Sequence, residues 1–236
     1  MTPLNHVRST AEAQRKPGPA ATGQPPAWEP FKPVQDPDLI FYPEPHDYWH
    51  RGHYVPNSIS AIADAGKDWS FAKPEDIKRG NDLHYLLLER FLMGKSFDPG
   101  EYEPWITPFV ESKFWDTWQP VAVEHRMIDT RYMIAGTADV IMQNKKNGIV
   151  AIADLKTLSE KGRKRDIRAQ LGGYMLLLWR THPGLELPMC YGLWSSPGKF
   201  EQTTYNGFDC QTAFEAARSL WRQNKFDPFK DTQNEK

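Results

Sequence analysis

The chain predicts a mixed α/β fold, a central sheet flanked by helices, and three observations carry that prediction. Strand-length apolar runs bounded by turn residues fill the middle of the sequence, and segments with helical apolar spacing bracket them. The order reads helices, three strands, a helix, two strands and a helix. At 236 residues the chain is long enough to bury a real core.

Half of the 20 prolines lie in residues 1–45, among Ala, Gly, Thr and Gln. That composition cannot bury enough apolar surface to offset its ordering entropy, so residues 1–40 are expected to be disordered or extended. Residues 41–230 are expected to form one domain, with 231–236 as a tail. Within it, the aromatic and β-branched residues around Gly52, from Tyr48 to Pro56, predict a short hairpin. Asn57-Ser58-Ile59 reads as a helix entry. Pro74-Glu75-Asp76 opens a longer helix with proline and acids in its first turn. Leu83, Leu87, Leu88 and Phe91 stripe it, and Gly94 stops it.

Thr107-Pro108 predicts the start of another helix, with Phe109, Val110, Phe114 and Trp118 inward. Three strands follow, Val121–Ile128, Tyr132–Met142 and Ile149–Lys156, the last preceded by an Asn147-Gly148 turn. Ile167, Leu171, Tyr174 and Leu178 mark a helix from about Arg165 to Trp179. Met189–Ser195 and Phe200–Tyr205 read as two strands, and Asp209–Gln223 as a final helix. Gly172 and Gly173 each cost that first helix about 1 kcal/mol relative to Ala. The loss is tolerable if the helix presses close to the sheet.

Composition excludes several classes. The net charge of −1 advertises no global basic field, so any polyanion must meet a local patch. Cys190 and Cys210 form no ligand spacing and no disulfide framework, which fits buried thiols in a reducing compartment. No run approaches the roughly 20 apolar residues of a membrane span, and the N-terminus lacks a secretory apolar core. A soluble protein of the cytoplasm, with no membrane partner, is the expectation.

The chemistry concentrates at Asp154-Leu155-Lys156. Residues two apart on a strand share a face, so Asp154 and Lys156 project together. Burying a carboxylate and an ammonium is costly unless they have a use. The preceding apolar run delivers Asp139. Two carboxylates and a lysine converging on a sheet point to phosphodiester chemistry with a divalent metal.

Glu124, then Gly136-Thr137-Ala138-Asp139, then Asp154-Leu155-Lys156, then Gln170 and Tyr174, together resemble the PD-(D/E)XK nuclease superfamily. The resemblance is to its RecB-like and phage-exonuclease branches. Arg79-Gly80-Asn81-Asp82-Leu83-His84 resembles the G…H helix of RecB-like nucleases, and Tyr48 to Ile62 the entry segment of small exonucleases. The resemblance covers about residues 48–180 and implies a restriction-endonuclease-like core.

It implies that His84, Asp139, Asp154 and the backbone carbonyl of Leu155 hold Mg²⁺, with Mn²⁺ an acceptable substitute. Lys156 would hold or deprotonate the attacking water. Glu124 would sit near the metal, and Gln170 and Tyr174, four apart on one helix face, would line the site. Two cysteines exclude an iron–sulfur cluster. The implied activity is DNA hydrolysis, by an exonuclease of recombination, repair or phage DNA processing. A restriction-type or structure-specific endonuclease, and an inactive DNA-binding accessory protein, stand as alternatives. A host-cytoplasm location follows if the chain is phage-encoded. No P-loop is present, so a helicase, recombinase or single-strand annealing protein would be a separate chain. Ring assembly occurs among phage exonucleases, which leaves a homo-oligomer open.

Each assignment has a plainer reading. His84 fits a hydrogen-bonded core histidine as well as a ligand. Glu124 fits a solvated strand acid sharing a face with Ala122 and Arg126, and Tyr174 fits a core residue. Lys161, Arg163, Lys164, Arg165 and Arg168 follow the Asp154–Lys156 strand. A charge run is commonly a solvated face, but its place beside the metal site makes phosphate contact the expectation. Trp49, Tyr54, Trp69 and Phe71 serve either as core or as stacking surfaces for unpaired bases.

Overall fold

The computed structural model describes residues 29–67, 73–186 and 188–225. Trp69, Phe71, the segment before Glu29 and the tail 231–236 lie outside the described residues. A central mixed sheet carries helices on both faces, as the element order predicted.

Glu29 to Pro37 form no regular element, yet they are held against the body. The Phe31 N–H donates to Gln143 Oε1 at 2.9 Å, and the Gln143 amide donates back to the Glu29 carbonyl at 3.2 Å. Next come β1 (Leu39–Tyr42), β2 (Asp47–His50) and β3 (His53–Val55), a three-stranded antiparallel sheet. The β2–β3 turn is Arg51-Gly52, both at positive φ (50° and 76°), which is the twist a two-residue hairpin requires. The sequence reading found this hairpin and missed β1.

The larger sheet is built on β6 (Ile134–Asn144). Its whole length on one edge pairs antiparallel with β5 (Trp118–Asp129). Its other edge is shared. Short β4 (Asn57–Ser58) pairs parallel with Ile134 and Ala135, while β7 (Val150–Thr157) pairs antiparallel with Val140 to Gln143. Between those two contacts, residues 136–139 of β6 have no strand partner on that edge. Beyond β7 lie β8 (Met189–Ser196), parallel to it, and β9 (Lys199–Tyr205), antiparallel to β8.

On one face, α1 (Ile59–Ala63), α5 (Arg168–Thr181) and α6 (Gly207–Lys225) pack over Ile141, Ile152 and Trp194. On the other, α2 (Pro74–His84), α3 (Glu103–Val110) and α4 (Phe114–Thr117) cover Val140, Met142, Ala153 and Leu155. Cys190 and Cys210 are both buried, as free thiols.

Three details depart from the pattern read in sequence. The helix begun at Pro74 becomes π-helical from Tyr85 to Leu92 before stopping at Gly94, φ +70°. The wider turn sets both Leu87 and Leu88 at 0% exposure. The helix expected from Thr107 to Trp118 is instead two: α3 starts four residues earlier, and Trp118 already belongs to β5. Pro108 inside α3 lacks the N–H that would bond the Pro104 carbonyl, and the Gly198 N–H takes that carbonyl at 2.8 Å. Gly172 and Gly173 make room for helices, not for the sheet. A Cβ on Gly172 would lie 2.0 Å from the Cys210 carbonyl oxygen of α6, and one on Gly173 would lie 2.7 Å from Ile59 of α1.

Candidate active site

The fork between β6 and β7 gathers the sequence-predicted residues. Register pairs Val140 with Ala153 and then stops, so the next facing residues would be Asp139 and Asp154. Instead Asp139 Oδ2 accepts a hydrogen bond from the Leu155 N–H at 2.7 Å. Strand alternation puts Asp154 and Lys156 on one face, and Lys156 Nζ lies 2.7 Å from Asp154 Oδ2. Asp154 is fully buried and the Lys156 side chain is 14% exposed.

His84, the last residue of α2, reaches over the same fork. Its Nε2 lies 2.9 Å from the Leu155 carbonyl. A carbonyl only accepts, so Nε2 carries a proton, and Nδ1 faces the acids. Nδ1 is 3.9 Å from Asp139 Oδ2 and 4.0 Å from Glu124 Oε1. Glu124 enters through a backbone irregularity. It sits between the pairs Val123–Val140 and His125–Ala138 with φ +49°, a left-handed conformation costing on the order of 1–2 kcal/mol for an L-residue. Strict alternation therefore fails at Glu124, where a shared face with Ala122 and Arg126 was expected. Such strain persists where surrounding structure holds it, commonly at functional sites.

One ligand atom each from His84, Glu124 and Asp139 lie within 4.8 Å of one another. Asp154 is not part of that set; its partner is Lys156. The Leu155 carbonyl accepts from His84 and keeps a second lone pair. Burial raises the Asp139 carboxyl, with Glu124 adding and His84 and Lys156 opposing. Asp154 is pushed up to about 6 by burial, against the pull of Lys156. At His84, burial works downward, but the facing Asp139 and Glu124 outweigh it and hold the imidazole above its usual value. Two acids raised and one base raised mark a site with surplus negative charge in a dry place.

Gln170 Nε2 donates to the Tyr174 hydroxyl at 2.9 Å, as their spacing predicted. Burial, together with Asp154 and Asp139, holds that phenol well above its ordinary pKa, so its own proton stays available for donation. The basic run is exposed throughout, but its members differ. Lys164 Nζ lies 3.5 Å from Glu201 and Arg168 forms a bidentate pair with Asp166, whereas Lys161 and Arg163 project from the loop before α5.

Sequence reasoning missed one contact here. The Tyr48 hydroxyl meets Thr137 Oγ1 at 2.8 Å, and burial, with help from Glu124 and Asp139, raises its pKa to about 12. A threonine two residues before the acid, on an otherwise apolar strand, was the available signal.

The sequence profile of the PD-(D/E)XK nuclease superfamily matches residues 100–236, more than half of the chain. The chain belongs to the PD-(D/E)XK nuclease superfamily. Comparison with curated proteins finds no match. Two solved structures are similar in part. One, described as an exonuclease candidate from Eubacterium rectale, has 11% identity and a TM-score of 0.47, covering 69% of this chain and 77% of that one. The other, SSO0001, has 16% identity and a TM-score of 0.37, covering 69% of this chain and 73% of that one.

PD-(D/E)XK nucleases depend on divalent metals, and the residues of this PD-(D/E)XK nuclease fit one. Asp139 and Glu124 offer hard carboxylate oxygens, and His84 turns Nδ1 to the same space. Among the described residues no helix is long and apolar enough to cross a membrane.

Proposed function

We propose that this nuclease is a DNA exonuclease of the RecB-like, phage-exonuclease branch, hydrolysing phosphodiester bonds with Mg²⁺, for which Mn²⁺ substitutes. One observation carries the reading: His84, Glu124 and Asp139 converge beside the buried Asp154–Lys156 pair. Residues 41–230 act as one nuclease domain, in the cytoplasm, with recombination, repair or phage DNA processing as its setting.

His84, Glu124 and Asp139 would hold the cation, with Asp154 and the Leu155 carbonyl beside that set. When bound, a divalent cation polarises the scissile phosphate and acidifies water. The chain's own groups supply the remainder. Lys156 Nζ, held by Asp154, is placed to orient the attacking water and offset phosphate charge. The Leu155 N–H fixes Asp139 with Oδ2 turned toward His84 Nδ1. Tyr174, oriented by Gln170, keeps a proton to donate to a phosphate oxygen. Lys161 and Arg163 steer the backbone toward the fork. Products carry 5′-phosphate and 3′-hydroxyl ends.

The test is incubation of end-labelled single- and double-stranded DNA with Mg²⁺, Mn²⁺ or chelator, followed by product sizing. Progressive shortening from an end, lost on chelation, is expected. A covalently closed circle should persist; rapid linearisation would make the enzyme an endonuclease. Binding without cleavage in either metal would leave only an accessory role.

A further inference from the structure

A second feature lies at the other end of β6. Tyr132, in the β5–β6 turn, has three guanidinium groups around its ring: Arg131 at 5.3 Å, Arg218 at 5.4 Å and Arg180 at 5.9 Å from the centroid. Energetically significant cation–π contacts occur about once per 70–80 residues, so three on one ring is a local concentration of charge. Two carboxylates answer the three cations. Arg180 Nε pairs with buried Asp129 at 3.0 Å and Arg218 with Glu215 at 3.4 Å. Arg131 is exposed and has no carboxylate partner among the described residues. Lys225 adds a further cation next door, since Asn57 accepts from Lys225 Nζ at 3.5 Å and donates to the Tyr132 carbonyl at 3.3 Å.

Pro56 and Ser58, flanking Asn57, line a cavity of about 330 Å³ that Tyr48 also lines, and Tyr48 bonds Thr137 two residues from Asp139. Asp47 and Asp64 line the cavity too, so its own lining repels phosphates. Tyr132 lies in the turn two residues before β6, and the extended chain from Ile134 to Asp139 spans about 17 Å. At roughly 3.4 Å per stacked nucleotide, that is about five nucleotides.

We propose that Arg131, Arg180 and Arg218, gathered on Tyr132, bind the substrate's sugar–phosphate backbone about five nucleotides or more from the cleaved bond, a role that rests on the nuclease reading above. The patch then grips strands long enough to reach it and is idle for shorter ones.

The test uses the full chain carrying Arg131→Gln and Arg218→Gln together, with Arg180 kept because it neutralises Asp129. Binding of labelled oligonucleotides of about 3 and about 30 nucleotides is measured in chelator across a salt series, and hydrolysis of both with metal. For the long strand, Kd at low salt is expected to rise at least about fivefold. The slope of log affinity against log salt should become shallower by roughly 0.7 per lost phosphate contact. Binding and hydrolysis of the short strand should stay unchanged, and the lysine pair Arg131→Lys with Arg218→Lys should restore the long-strand slope. Equal Kd and slope for variant and wild type on the long strand overturn the proposal. So does an equal loss on both lengths that the lysine pair fails to reverse, which would make the arginines a structural clamp. A wild type that binds with the length dependence described but never cleaves overturns the nuclease reading and leaves the patch standing.

Discussion

Asp139 Oδ2 accepts the Leu155 N–H at 2.7 Å while the carbonyl of the same Leu155 holds His84 Nε2 at 2.9 Å. One residue of β7 thus orients an acid of β6 and an imidazole of α2. The donor set is therefore braced by backbone rather than by exposed side chains, and backbone does not swing away.

Removing the buried charge pair should separate stability from catalysis. Asp154→Ala or Lys156→Ala is expected to abolish cleavage. Each leaves its partner buried and unpaired, so each also costs stability, about 3–5 kcal/mol for a fully buried pair and less here because Lys156 is partly exposed. Replacing both at once, Asp154→Asn with Lys156→Met, is expected to be equally inactive but at least as stable as wild type. Urea unfolding beside a cleavage assay checks this. A double variant less stable than both single ones would show that the pair holds the fold.

The metal-free protein should lose stability as pH rises from about 4 to about 6. Asp154 titrates near 6 in the fold against an ordinary 3.8, so in that window the folded state holds a proton that the unfolded chain has released. The contribution, about 3 kcal/mol, is present below the window and lost above it. Denaturant unfolding at each pH reads it. The slope from this group should vanish in the Asp154→Asn, Lys156→Met double variant.

His84→Ala is expected to weaken Mn²⁺ activation by at least about tenfold and Mg²⁺ activation less, because an imidazole ligand favours the softer ion. Titration of cleavage rate against each metal measures it. An unchanged metal dependence would return His84 to bracing the Leu155 carbonyl.

Two glycines should respond oppositely to the same substitution. Gly172→Ala drives a methyl to 2.0 Å from a carbonyl oxygen of α6, an overpacking that should cost about 3 kcal/mol. Gly80→Ala meets only the Thr157 hydroxyl, 3.8 Å away, in the interior of α2, and should stabilise by about 0.5–1 kcal/mol. Thermal unfolding of both variants suffices.

In the basic run, neutralising Lys161 and Arg163 should flatten the salt dependence of DNA binding more than neutralising Lys164 and Arg168. The latter two already face Glu201 and Asp166. Equal slopes for all variants would make the run a solvated face.

Much of this was legible in sequence because the signals were local. Alternation placed Asp154 beside Lys156, spacing placed Gln170 beside Tyr174, and Asn147-Gly148 and Gly94 marked their turns. The rest depends on groups far apart in the chain. Glu124 reaches the cluster through a positive φ that no propensity predicts. The division of β6's edge between β4 and β7, which opens the fork, follows from contacts across the chain, and so does the role of Gly172. Pro108 misled for a physical reason. Its lost hydrogen bond is replaced by Gly198, 90 residues away, so the helix could begin before it.

The π-helical stretch from Tyr85 to Leu92 implies slack in the chain directly behind the imidazole. Such a stretch uses more residues per turn than an α-helix, and runs this long are rare. Shortening it by one residue could be absorbed as ordinary helix, whereas lengthening it could not. Trimming there offers a way to tighten the support of His84 without rewriting any residue that meets the substrate.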